Sequence, residues 1–361
     1  MSFPVPQALR DYARLAEPQL AAFLDAKGAA LRGLPVDLSR AHAALRDYVL
    51  RGGKRLRGAL VLLGHEAAGG RREDALRPSL GVELLHAYLL IHDDFMDRDE
   101  VRRGGPTLHV TLARGGPESG AARGASDEAA VHLGASLAIL AGSLCEAWAL
   151  DLILEASVAA DRALAAARHL TRALADVTVG QMLDVAAPFG PELPAEGVLR
   201  IEQLKTGSYT FELPLLLGAL LAGAPSDLLA ALRAYAQPLG QAFQIVDDLL
   251  GVFGSPEVTG KSSANDLREG KRTLLIARAL AQASPADAAA LRAGLGNPDM
   301  TDSEADALRA LLRRSGADQA ARAEAEALCT RALDALNSHS IPPAVSTELH
   351  SIANYTIRRT L

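Results

Sequence analysis

The chain has 361 residues, 49% of them apolar and only 4% aromatic, with a formal net charge of −6. That is ample material for one large core, and the acidic balance without a long basic patch excludes a nucleic-acid binder. Ala and Leu dominate while β-branched and aromatic residues are sparse, which excludes a strand-rich fold and predicts an all-α protein.

In chain order, residues 5–32 and 38–51 read as amphipathic helices. The stretch "RGGKRLRG" (51–58) interrupts with two glycines, and an apolar helix follows to about Ala68. A turn at 69–74 leads into a long apolar helix over 76–98 that ends in acidic residues. Residues 113–128 are rich in Gly and Ser without an apolar period, and read as a mobile loop. Residues 129–156 are almost wholly apolar, which predicts a central buried helix. Further helices are expected at 160–187, 199–223, 226–252 and 271–283, with loops at 186–197 and 253–270 between them. A capping box of Thr301 and Glu304 opens a helix over 301–316, and the last two run 318–338 and 343–358. The apolar run Leu213–Pro225 is too short to cross a bilayer. With no separating linker, the simplest architecture is a single large bundle of ten or more helices spanning 1–361.

The N-terminus lacks a basic-then-apolar signal pattern, and Cys145 and Cys329 form neither a disulfide framework nor a metal pair. A cytoplasmic protein without a membrane anchor is expected. The chain also holds 32 Arg but only five Lys, at 27, 54, 205, 261 and 271. A lysine kept in an arginine-preferring chain suggests a need for a compact point charge.

Two acidic clusters stand out. Asp93, Asp94 and Asp97 end the apolar helix 76–98, with Asp93 and Asp97 four apart on one face. Taken alone, they fit a hydrated helix end as well as a site. "QAFQIVDDLLGVFG" (241–254) repeats the arrangement with Asp247 and Asp248. If the two helices face each other, their carboxylates converge across one cavity. Magnesium usually takes one or two carboxylates and completes its shell with water and substrate phosphate, so the pattern implies a phosphorylated substrate. The cations suit diphosphate: Lys54, Arg55 and Arg57 beside Gly52 and Gly53, then Arg102 and Arg103, Lys205 near Thr206 and Tyr209, and Lys261 and Lys271 flanking Asp266. Glu83 and His86 form a Glu-x-x-His pattern, but a di-iron site would need a second copy and none is present.

These stretches, with "ELLHAYLLIHDDFMDRDEVRRGGPTLH", "GQMLD", "KTGSYTFELPL" and "TGKSSANDLREGKRT", resemble in order the trans-isoprenyl diphosphate synthase (polyprenyl synthetase) family over about residues 40–280. The resemblance implies an all-α fold around a central cavity and head-to-tail joining of isopentenyl diphosphate to an allylic diphosphate. It implies three Mg2+ ions held by Asp93, Asp97 and Asp247, with Asp94 and Asp248 completing the acidic motifs. Arg102, Lys205 and Lys261 would neutralise the allylic diphosphate. Lys205, Thr206 and Gln244 would present oxygens to the allylic cation, and Lys54, Arg57, His86 and Arg103 would hold isopentenyl diphosphate. Gly53, Tyr209 and Lys271 complete the implied substrate contacts. Tyr88 and Leu89 lie at the positions associated with product length, and an aromatic there implies a medium-length product, geranylgeranyl diphosphate before farnesyl. A homodimer is implied as well. Three departures are visible: Gly251 replaces the last aspartate of the second motif, Gly58 a usual proline, and Ser143 a usual aspartate. A class I terpene cyclase and a non-catalytic subunit are the competing readings. "GGKRLR" and "RRGGP" speak against the first, and the intact Asp93–Asp97 motif against the second.

Overall fold

The computed structural model describes residues 4–114, 127–254, 264–337, 339 and 341–358. The predicted all-α architecture is found: among the described residues, apart from one hairpin of two two-residue strands, every regular element is helical. The expected loop at 113–128 lies almost wholly outside the described residues. The helices group into two compact units. One comprises 7–62 and 71–167, and the other 63–70 and 168–361 with the first six residues.

The first unit holds α1 (Gln7–Ala30), α2 (Ser39–Leu50), the start of α3 (Leu56–Ala67), α4 (Leu76–Met96), α5 (Leu108–Ala113) and α6 (Asp127–Leu154). A short hairpin, β1 (Val101–Arg102) and β2 (Gly105–Pro106), follows α4. Its two turn residues, Arg103 and Gly104, have φ of 52° and 72°, the left-handed pair that matches strand twist. Helix α6 packs on α4 and α5 through small residues. A Cβ on Gly81 would lie 2.7 Å from the Ala149 carbonyl, and one on Gly134 2.5 Å from the Ala113 nitrogen.

The expectation of a centrally buried helix over 129–156 is corrected here. Only one side of α6 is buried, the side of Gly134, Ala138, Ala141, Cys145 and Ala149. The other side exposes Val131 (60%), Leu140 (61%) and Leu144 (40%). Apolar periodicity fails to distinguish the sides because small residues occupy the packed one and large ones the open one. By length and composition α6 is also long and apolar enough to cross a membrane, and 44% of that stretch is buried inside the protein.

The second unit holds most of α7 (Ala160–Ala186), then α8 (Ala195–Glu202), a π-helical segment (Gln203–Glu212), α9 (Leu213–Ala222) and α10 (Ser226–Phe253). After these come α11 (Asn265–Glu269), α12 (Leu274–Gln282), α13 (Pro285–Gly294), α14 (Asp302–Arg314), α15 (Ala317–Asn337) and α16 (Pro343–Ile357). Helix α10 is the centre, packed on α15, α16 and the π segment. Its buried Ile245, Val246 and Leu249 join Leu267, Leu275, Leu312 and Leu328 in one core. The predicted capping box is formed: Glu304 N–H donates to Thr301 Oγ1 at 3.3 Å, and Thr301 N–H to Glu304 Oε2 at 2.7 Å. Helix α11 lies in a stretch read as loop. Helix α13 has no counterpart in the sequence reading, although Ser284 at its N-cap and Pro285 in its first turn are ordinary start signals.

Candidate active site

At the end of α4 the three aspartates fall into two environments. Asp93 and Asp97 are half-buried, whereas Asp94 is buried. Asp94 accepts from Tyr48 Oη and from Arg102 Nε, both at 2.6 Å, and Arg102 Nη2 also reaches Asp99 at 2.9 Å. Burial pushes the Asp94 carboxyl above the usual range, against the pull of the Arg102 charge and the Tyr48 bond. Asp94 is thus an internal anchor that ties α2, α4 and β1 together.

The basic loop 51–58 is held by the next face back along α4. Gly52 and Gly53 have φ of 58° and 111°, and Arg55 itself has φ 48°, so the chain reverses tightly. That turn sends Arg55 inward, 5% exposed, while Lys54 stays exposed. Arg55 Nη1 donates to Glu83 Oε2 at 3.3 Å, and Gly58 N–H to Glu83 Oε1 at 2.8 Å. One turn further, His86 Nε2 lies 3.2 Å from Arg57 Nη1. The Glu-x-x-His pattern is therefore a clamp on the basic loop. Across the hairpin, Arg103 Nη1 donates to the Gly52 carbonyl at 3.1 Å and Arg51 Nη1 to the Pro106 carbonyl at 2.8 Å. His86 is held well below its usual range by desolvation first and then by Arg57 and Arg103, so the imidazole is neutral at pH 7. Burial and then Arg55 push Arg103 down as well. In both shifts burial is the larger cause and neighbouring guanidinium groups add to it, so the cluster concentrates cations of the kind that suit an anionic ligand.

In the second unit the ten-residue π segment carries Lys205, Thr206 and Tyr209. Such segments are rare and concentrate at functional sites. Glycines let its backbone pass close to its neighbours: a Cβ on Gly180 would lie 2.5 Å from Lys205 N, and one on Gly240 2.9 Å from Gly207 Cα. Lys205 Nζ donates to Asp184 at 2.7 Å. Tyr209 is buried at 3% exposure, among the core residues of this unit. On α10, Asp247 is half-buried and Asp248 buried. Gln244 Nε2 donates to Asp248 Oδ1 at 2.7 Å. Asp248 also meets Glu202, whose Oε1 accepts the Leu274 N–H at 3.1 Å at the start of α12. Burial pushes Glu202 up to about 7 and Asp248 upward too, so the pair binds a proton where isolated carboxyls would not. Lys271 pairs with Glu269 at 3.2 Å. Lys261 lies outside the described residues.

Each acidic motif thus divides into one anchored carboxylate, Asp94 or Asp248, and half-buried partners, Asp93 and Asp97 or Asp247. Among the described residues no group of three or more His, Cys, Asp or Glu side chains is arranged to hold a metal alone.

Residues 39–312 match the model of the polyprenyl synthetase family, a span that includes all of these clusters. The chain belongs to the polyprenyl synthetase family. It is a trans-isoprenyl diphosphate synthase, a prenyltransferase. It is 34% identical over 310 residues to the (2E,6E)-farnesyl diphosphate synthase of Mycobacterium tuberculosis (strain H37Rv), covering 85% of this chain and 80% of that one. It is 30% identical over 326 residues to the geranylgeranyl diphosphate synthase of Sulfolobus acidocaldarius, covering 90% and 92%. The crystal structure of geranylgeranyl pyrophosphate synthase from Corynebacterium glutamicum, complexed with isoprenyl diphosphate and magnesium, superposes with a TM-score of 0.91 at 33% identity, over 98% and 99% of the two chains.

The three departures of this synthase have local physical causes or none. At Gly58 a Cβ would overlap the Tyr12 ring, and the N–H given to Glu83 is one that proline lacks. At Gly251 a Cβ would overlap the Asp266 carboxylate, 2.9 Å from its Cγ. Ser143 is exposed and donates to the Ile139 carbonyl at 3.2 Å, and nothing around it explains the change. Tyr48, Asp99, Asp184 and Glu202 were not singled out from sequence. Their partners lie as far as 72 residues away, as for Glu202 and the Leu274 N–H, and although Asp99 and Asp184 fall within the quoted stretches, spacing alone does not give them these partners.

Proposed function

We propose that this synthase condenses isopentenyl diphosphate with allylic diphosphates head to tail, with geranylgeranyl diphosphate as its product. The observation that carries the reading is the division of both acidic motifs into one buried, tethered aspartate and half-buried neighbours. Asp93, Asp97 and Asp247 are then the metal-holding carboxylates. Hard oxygen donors of this kind suit magnesium, which takes one or two carboxylates and leaves its other positions to water and phosphate. The lack of an all-protein cage among the described residues fits that habit. Three ions are proposed, and when bound they would draw charge from the leaving diphosphate.

The chain's own side chains do the rest. Arg102, fixed by Asp94 and Asp99, together with Lys205 and Lys261, neutralises the allylic diphosphate. Lys54, Arg57, neutral His86 and Arg103, beside Gly53, take isopentenyl diphosphate, with Lys271 as a further cation. Thr206, Gln244 and the Lys205 carbonyl face the allylic carbon as charge develops, a preorganised electrostatic role. Tyr88, half-buried and set edge-on to His92 at 4.7 Å between centroids, lies roughly 7.5 Å before Asp93 along α4 and stops chain growth, with Leu89 beside it. The similarity to a farnesyl diphosphate synthase favours that product as a second reading. A cytoplasmic homodimer, formed through the exposed apolar side of α6, completes the proposal.

The test is incorporation of labelled isopentenyl diphosphate with dimethylallyl, geranyl or farnesyl diphosphate, with and without magnesium, and analysis of product length. A twenty-carbon product that requires magnesium supports the reading. A fifteen-carbon end product selects the second. Hydrocarbon from an allylic diphosphate alone, or no product from any primer, rejects both.

A further inference from the structure

Helix α4 carries two histidines, His86 against the basic loop and His92 directly before Asp93. His92 turns instead toward α6, where its Nε2 lies 3.0 Å from the Ile139 carbonyl. A carbonyl only accepts, so Nε2 carries the proton and donates it. Gly142, on the packed side of α6, leaves room for the ring. A Cβ there would lie 2.7 Å from both Cδ2 and Nε2 of His92. The imidazole therefore rests on bare α6 backbone and is fastened to it by one bond.

Tyr88 lies four residues before His92, on the same face of α4. The two rings stand 4.7 Å apart between centroids with their planes at 68°, the edge-to-face arrangement that aromatic pairs prefer. Glu146 follows Gly142 by one turn of α6, near enough that its charge, after burial, raises the Tyr88 hydroxyl above its usual range. Helices α4 and α6 pack closely, with Gly81 against the Ala149 carbonyl further along, so α6 is a fixed surface for both rings. Tyr88 itself is only half-buried. A tyrosine on a helix has two common χ1 wells, and burial of this degree does not choose between them. The contact with His92 does.

We infer that His92 and Gly142 help to set product length: His92, bonded to Ile139 over the bare backbone of Gly142, holds the Tyr88 ring in the orientation that closes the cavity. The inference rests on the proposal that Tyr88 is the floor. His92 is a positioning residue, because it touches Tyr88 and not the growing chain. An edge-to-face pair favours one ring orientation by about two- to tenfold, and the ratio of longer to normal end product should change by that factor when the pair is lost.

The experiment compares end-product lengths of the full-length enzyme and its variants, with labelled isopentenyl diphosphate and a dimethylallyl or geranyl primer. His92→Ala is expected to raise the ratio of longer to normal product about two- to tenfold. Gly142→Ala, which displaces the His92 ring from Ile139, is expected to raise it in the same direction. Tyr88→Ala is expected to lengthen the product, and adding His92→Ala to it should change nothing more, since the ring that His92 holds is gone. A merely structural role for His92 would lower stability or turnover without moving this ratio. An unchanged ratio in both His92→Ala and Gly142→Ala overturns the inference, as does a His92→Ala effect that persists undiminished beside Tyr88→Ala. Should His92→Ala yield too little product to measure, Gly142→Ala decides alone, and an unchanged ratio there overturns the inference. If Tyr88→Ala leaves product length as it was, the floor reading fails and takes this inference with it. If Tyr88→Ala lengthens the product and neither other variant does, only the His92 assignment falls.

Discussion

Replacing Gly58 with proline, the residue usual in the family at this position, should destabilise this protein. Position 58 is the third residue of α3, where the N–H has no partner within the helix, so proline costs the helix itself little. The cost comes from two tertiary contacts. The Gly58 N–H bond to buried Glu83, at 2.8 Å, is charge-assisted and worth about 1.5–3 kcal/mol. The ring would also overlap the buried Tyr12 side chain, whose hydroxyl bonds Ser79 Oγ at 3.1 Å, and such overpacking costs about 1–3 kcal/mol. Together these make about 2.5–6 kcal/mol, a large part of a domain's stability. Thermal unfolding followed by circular dichroism should show a fall in Tm of about 3–8 °C. Gly58→Ala keeps the N–H and meets only the overlap, so it should fall by roughly half as much. If Gly58→Pro melted within about 2 °C of wild type, the account of Glu83 and Tyr12 would be wrong.

Three other changes test separate parts of the structure. Tyr88→Ala should lengthen the product, and an unchanged product distribution would remove Tyr88 as the floor. Glu202→Gln addresses the buried carboxyl pair. Because burial raises the folded-state Glu202 to about 7, the stability it contributes is fully present below the usual carboxylate range and is lost as pH rises to about 7. Glutamine does not titrate, so the variant should gain on wild type between pH 5 and 8, by on the order of 1–3 kcal/mol in denaturant unfolding. A gain confined to acid would contradict the sign. Leu140→Glu, at a residue 61% exposed on α6, should leave the fold intact and give a monomer by light scattering. A persistent dimer would place the interface elsewhere.

Much of this molecule is written in short-range pattern. Helix α4 spans Leu76–Met96 against a reading of 76–98, and α10 spans Ser226–Phe253 against 226–252, because long apolar runs bounded by charge leave few alternatives. The capping box at Thr301 is equally local. The KTGSY stretch falls within the helix expected over 199–223, but it lies in a π segment whose close neighbours, Gly180 and Gly240, come from elsewhere in the chain. Helix α6 shows where pattern runs out: its apolar residues are visible in sequence, but which side is packed depends on the backbones of α4 and α5 approaching its glycines and alanines.

The sequence by itself determined the helical class, the order of the motifs and the residue types that suit a metal and diphosphate, since these follow from composition and from spacing along single helices. Tertiary structure decided the rest. Only there does Asp94 receive Tyr48 and Arg102, does Glu83 hold Arg55 and the Gly58 N–H, and does Asp266 fill the space above Gly251. Those roles depend on desolvation and on partners tens of residues away, and neither quantity is a property of a local stretch of chain.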